Sequence, residues 1–260
     1  MAAGLSEASG TVDYLPMTAQ TAEARELRVA AAGVAAELAS CHDIVAVCLV
    51  GSVARGDAVE TSDLDLVVIA DERLSRSELM QRLPRDLRDD RLSLLCFSRN
   101  SWGADVENGS LFVHHVRLEG VPLLDREGVL KASLDLAGRT KPNVAHELDR
   151  QVARLRLYRH PERLNGEHLF ALSHMYAIGK AVAIARCIEL DQPVFVKEEA
   201  LLRLGALRPD LASEASVVMR LRPFYDLTRE REAPEVPFEP VHVENQITSA
   251  QAAIERLAYG

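Results

Sequence analysis

Lysine is scarce in this chain: Lys131, Lys141, Lys180 and Lys197 are the only four among 30 basic residues. Aromatic residues make up 5%, with a single tryptophan, and the formal net charge is -9. A net acidic protein with so few lysines is poorly suited to broad electrostatic binding of nucleic acid or an anionic membrane. A cationic small molecule would be tolerated, although net charge selects no substrate. The four cysteines, Cys41, Cys48, Cys96 and Cys187, form no Cys-x-x-Cys pair, which excludes the common zinc and redox motifs. Cys48 and Cys96 lie in apolar stretches and read as small buried hydrophobes, in keeping with a reducing cytoplasm. No Gly-x-Gly-x-x-Gly occurs, so dinucleotide binding has no support. Gly51 to Gly56 opens like a P-loop, but Asp57 stands where that motif needs lysine. His146-Glu147 lacks the second histidine of a zinc protease. No apolar run approaches the roughly 18 residues of a membrane span. Residues 1–7 show no positive, apolar leader pattern, so a cytoplasmic location is expected.

What is present begins with composition. The 260 residues are 48% hydrophobic and 27% charged, enough for a real core in one large or two modest domains. Ile44-Val45-Ala46-Val47-Cys48-Leu49-Val50 is a continuous apolar run of strand length, expected to be buried on both faces. Gly51-Ser52-Val53-Ala54-Arg55-Gly56 follows. Glycine at the turn leaves room for a ligand, and Ser52 suits a helix N-cap. A short helix opening there would direct free N–H groups at an anion such as a phosphate, with Arg55 nearby and Gly56-Asp57 ending it.

Ser62-Asp63-Leu64-Asp65-Leu66-Val67-Val68 reads as a second strand. Residues two apart share a face, so Asp63 and Asp65 are expected to point the same way while Leu64 and Leu66 face the core. At roughly 3.3 Å per residue, their Cα atoms would lie about 6–7 Å apart. Two unit charges at that distance repel by about 2–3 kcal/mol at an effective dielectric near 20. A strand gains nothing from aspartates. A Mg²⁺ held by one or two carboxylates and by substrate phosphates would offset the cost.

These two motifs together resemble the signature of the DNA polymerase β-like nucleotidyltransferase superfamily, and most of all its small bacterial members, the aminoglycoside and minimal nucleotidyltransferases. The likeness is strong over about 44–70 and weaker over about 90–126. It implies an α/β (α+β) fold with a small mixed sheet, and transfer of a nucleoside monophosphate, AMP by expectation, from an NTP to an acceptor hydroxyl. It implies that Gly51 and Ser52 hold the β- and γ-phosphates with Arg55 in support. By the same likeness, Asp63 and Asp65 bind Mg²⁺ or Mn²⁺ and Lys180, four residues after Tyr176, faces the triphosphate. In such enzymes two metal ions clamp the attacking and leaving oxygens.

The superfamily also places a third carboxylate on a neighbouring strand, here Arg91 to Phe97, where the corresponding position is Ser93. Two readings stay open. Nucleotide binds but transfer is slow or absent, or another group takes the acceptor proton: Asp90 just before the strand, or His114 or His115. Asp89, Asp105 and Glu107 flank the same strand. A histidine titrates near neutral pH without any shift.

The rest of the chain reads as follows. Residues 1–17 form a flexible tail, 18–126 the nucleotidyltransferase domain, and 127–260 an all-helical domain that walls the acceptor pocket. Helices are expected over 18–40, 77–88, 110–118, 143–159, 169–190, 197–207, 209–228 with a break at Pro223, and 243–258, with a short closing strand over 120–125. Residues 233–240 read as a proline-rich loop. Alone, the helical part would suit packing or dimerisation, so a homodimer is among the expected partners, and membrane and nucleic acid are not. A third class, a toxin–antitoxin component with ribonuclease-like helices, is suggested by Arg154 and His160, with Pro161 fitting it poorly.

Overall fold

A computed structural model of the protein describes residues 20–164, 167–196, 199–229 and 240–260. The expected tail lies outside the described residues, as does nearly all of the proline-rich loop.

Helix α1 (Ala22–Leu38) opens on Thr21, whose hydroxyl accepts the N–H of Ala24, and buries Leu27, Val34 and Leu38. Strand β1 (Ile44–Val50) follows and is buried at every position, as its unbroken apolar run requires. The short helix α2 (Gly51–Arg55) leads to β2 (Leu64–Ala70), then α3 (Arg76–Arg82) and β3 (Leu92–Ser98). The helix expected to run to residue 88 stops early because Leu83 is extended ahead of Pro84, leaving one 3-10 turn over Arg85–Leu87. Helices α4 (Arg99–Glu107) and α5 (Leu111–Glu119), strand β4 (Val121–Asp125) and helix α6 (Val129–Ala137) complete this part.

The sheet has the order β3-β2-β1-β4. β1 pairs antiparallel with β2 and β4, whereas β2 and β3 run parallel. Strand alternation divides the core. Leu49, Leu66 and Leu94 pack with α1 and α3 on one face, and Cys48, Val50, Val67 and Trp102 pack with α4 to α6 on the other.

Beyond the sheet the chain is helical: α7 (Val144–Leu155), α8 (His168–Glu189), α9 (Glu199–Leu207), α10 (Ala212–Met219), α11 (Arg222–Arg229) and α12 (Pro240–Tyr259). The break between α10 and α11 falls at Arg220-Leu221, so Pro223 sits in the first turn of α11, where its missing N–H costs nothing. α8 is the axis of this region, with Leu172, Met175, Ile178 and Val182 buried among the other helices. Contrary to the sequence expectation, α8 is long and apolar enough, by length and composition alone, to cross a bilayer. The physical reason is its place as a core helix, with 56% of the apolar window buried inside the fold.

Candidate functional site

β1 delivers the chain to Gly51 in the left-handed region, φ 75°, which is what turns the strand into α2. A Cβ at Gly51 would lie 2.8 Å from Asp65 Oδ2. The Asp65 carboxylate therefore rests directly against the turn, in space that only glycine leaves open. Ser52 does not cap α2 as expected. The N-cap is Val50 without a side-chain bond, and the Ser52 carbonyl instead accepts the N–H groups of Gly56 and Asp57 to close the helix. Gly56 ends it at φ 93°.

Asp63 lies one residue ahead of β2 and Asp65 is its second residue. Both are half-buried on either side of the buried Leu64, as alternation requires. Asp65 pairs across the sheet with Val50 on β1 and with Ser93 on β3. Ser93 thus occupies the strand position beside Asp65, the place where the resemblance leads one to expect an acid. Asp90 is exposed in the turn before β3. Asp105 is half-buried on α4, where burial pushes its carboxyl up and the Arg150 charge draws it down.

Arg55 is held from its own side of α2. Its Nη1 donates to Glu119 Oε2 at 2.9 Å, and Asp57 lies 3.4 Å from its Nε. His115 Nε2 lies 3.0 Å from the same Glu119 oxygen, and its ring stacks on Phe195 at 4.5 Å. Burial pushes the Glu119 carboxyl up, but the bonds from His115 and Arg55 outweigh it and hold the group below the usual range. His114 is buried with Nε2 unpartnered, and burial, then Arg117, pushes its pKa down. In α8, Lys180 Nζ sits 5.4 Å from the Tyr225 ring centre, and Tyr176 packs on the same ring. Arg154 bonds to Gln151 and His174, whereas the exposed His160 bonds to Glu162, so the two residues of the ribonuclease-like reading take different partners.

The site thus combines a left-handed glycine, a short helix and two carboxylates on one strand end. Residues 33–111 match the nucleotidyltransferase domain family. The matched stretch holds Gly51, Ser52, Asp63, Asp65 and Ser93 together, in agreement with the resemblance read from the motifs. No curated protein matches the chain. Among solved structures, a nucleotidyltransferase-like protein from Exiguobacterium sibiricum 255-15 is similar at 15% identity and a TM-score of 0.36, over 91% of this chain and 74% of that one. Spectinomycin adenyltransferase AAD(9) from Enterococcus faecialis, solved with ATP and spectinomycin, is similar at 8% identity and a TM-score of 0.48, over 89% and 99%. Both likenesses are too loose to bear on the chemistry of this nucleotidyltransferase-like region.

Two carboxylates supply hard oxygen donors of the kind Mg²⁺ or Mn²⁺ takes, and the glycine cradle keeps Asp65 Oδ2 uncovered by a side chain at residue 51. No group of three or more His, Cys, Asp or Glu suited to a metal occurs among the described residues. The donor set fits an ion completed by phosphate and water, not a closed protein cage. Sequence reasoning missed Glu119 and Phe195. Glu119 is 64 positions from Arg55, and no local pattern marks such a pair.

Proposed function

We propose that the protein is a Mg²⁺-dependent nucleotidyltransferase that moves a nucleoside monophosphate, AMP by preference, from an NTP to a hydroxyl acceptor, with the acceptor bound beside the helical region. The observation that supports it most is the Asp65 carboxylate resting on Gly51 at the mouth of α2. Gly51 and Ser52 bind the phosphate tail through backbone N–H groups. Asp63 and Asp65 hold the divalent ion, which when bound supplies charge neutralisation at the reacting phosphate. Lys180, beside Tyr225, adds positive charge from α8. The acceptor oxygen forms its bond to the α-phosphorus as pyrophosphate leaves, and the acceptor proton passes to water or to a nearby base. We place the domain boundary after α6, past the expected 126–127, because Leu130 and Ala137 pack with the sheet, and we assign the location to the cytoplasm and the partners to nucleotide and acceptor without membrane or nucleic acid. Incubation with labelled NTPs, Mg²⁺ and a panel of hydroxyl acceptors tests the reading; transfer unchanged in Asp63→Asn removes it.

A second reading is favoured by one observation, the pairing of Ser93 with Asp65. With serine beside the ion, the protein binds Mg²⁺ and nucleotide and transfers little. Ser93→Asp then raises transfer above wild type, measured as pyrophosphate release. No rise in that variant, with measurable wild-type turnover, excludes this second reading.

A further inference from the structure

The helix α2 has five residues, too few to be stable alone, so its position is set by what grips it. From α1, Arg28 donates from Nε to the Val53 carbonyl at 3.0 Å and from Nη2 to the Ala54 carbonyl at 2.6 Å. From the other side, Arg55 is gripped by Glu119 of α5. The Glu119 side chain is only 13% exposed and that of Arg55 18%, so the pair is shielded and its geometry is well defined. An ionised carboxylate only accepts, so His115 donates from Nε2 to the same oxygen. That bond fixes the plane of the imidazole, and Phe195 lies on it nearly parallel, at 15°. Phe195 belongs to the segment between α8 and α9, beyond Glu189, the last residue of the helix that carries Lys180. A series of contacts therefore runs from Phe195 through His115 and Glu119 to Arg55 of α2, the helix that opens at Gly51 and Ser52.

We infer that Phe195, His115 and Glu119 are positioning residues that set the Gly51–Ser52 turn for nucleotide and tie it to the helical region. Their role rests on the reading above, in which that turn holds the triphosphate. None of the three touches substrate in this scheme. They act through Arg55, whose part is to anchor α2.

The test uses the full chain and two readouts: amide hydrogen exchange over residues 51–57, and the Kd for Mg²⁺-ATP by calorimetry. Phe195→Leu keeps an apolar side chain and removes the ring. It should speed exchange in 51–57 and raise Kd, each by about three- to tenfold, the scale of one aromatic pair, with exchange in α12 unchanged. Phe195→Tyr restores the ring and should restore both values to wild type. Glu119→Gln should give a larger change of the same kind. Unchanged exchange in 51–57 for Phe195→Leu overturns the proposal, as does a change of equal size throughout the chain. If wild type binds no Mg²⁺-ATP, the nucleotidyltransferase reading falls, and the exchange pattern alone decides the positioning claim.

Discussion

In the sheet-bearing part, Asp65 is left half-buried against Gly51. In the helical part, α7, the 3-10 turn Arg156–Tyr158 that follows it, and α8 bring Gln151, Arg154, Tyr158 and His174 toward one another. Arginine cannot accept, so His174 Nε2 accepts from Arg154, and Nδ1 carries the proton toward Tyr158. The second set is matched internally, donor to acceptor. The first gathers two carboxylates at one strand end beside the Gly51 turn. Polar residues that bond to one another between helices hold a fold together; carboxylates gathered beside a left-handed glycine suit a ligand. The cavity of about 720 Å³ between α10, α11 and α12 illustrates the same contrast, for none of the residues lining it belongs to the sheet.

The contrast can be broken most forcefully at Asp65. Asp65→Asn keeps shape and removes charge, and transfer should fall by about 10²–10³-fold, the scale of losing one charge-stabilising group, with little change in melting temperature. A large loss of stability with it would mean that the carboxylate serves the fold. Two glycines sharpen the comparison at intermediate size. In Gly179→Ala the new Cβ meets Val218 Cγ1 at 2.5 Å, where α8 and α10 pack closely, and overpacking should cost about 1–3 kcal/mol in denaturant titration. Gly51→Ala meets the Asp65 carboxylate in a left-handed backbone and should cost about 1–3 kcal/mol as well. Only the second should also weaken Mg²⁺-ATP binding in the protein that remains folded. Equal binding by both variants would erase the distinction between the regions.

The smallest effect concerns pH. Burial, then the Arg154 charge, holds His174 below its ordinary value of 6.5. The unfolded chain takes up that proton more readily, so the stability linked to His174 is complete above pH 6.5 and is lost as pH falls through the lowered folded value. His114, depressed by burial, acts in the same direction. His174→Gln should therefore flatten, without abolishing, the fall in denaturant midpoint on acidification. An unaltered slope would show that the α7–α8 network does not resist protonation.

Much of this was legible in the residues. The limits of β1 follow from its apolar run, and Asp63 and Asp65 from period-two alternation. α4 was missed because its signal is a reciprocal cap between Ser98 and Ser101, two small residues common in loops. α6 was missed because it is started from outside its own sequence: the Asp125 carboxylate at the end of β4 accepts the N–H groups of Leu130 and Lys131. The pairing of Asp65 with Ser93 needed only strand register, which the resemblance supplied. The grip of Glu119 on Arg55 needed tertiary structure, because nothing in a linear pattern joins residues so far apart.

The two carbonyl bonds from Arg28 carry a practical lesson for anyone trimming this protein. The family match starts at residue 33, inside α1, downstream of Arg28 and of Thr21, whose hydroxyl also reaches the Ala58 carbonyl. A fragment cut to the matched limits would keep both aspartates and the glycine yet lose one of the two clamps on α2. Its weak nucleotide binding would then report the missing clamp, and would wrongly be taken as evidence against the aspartates.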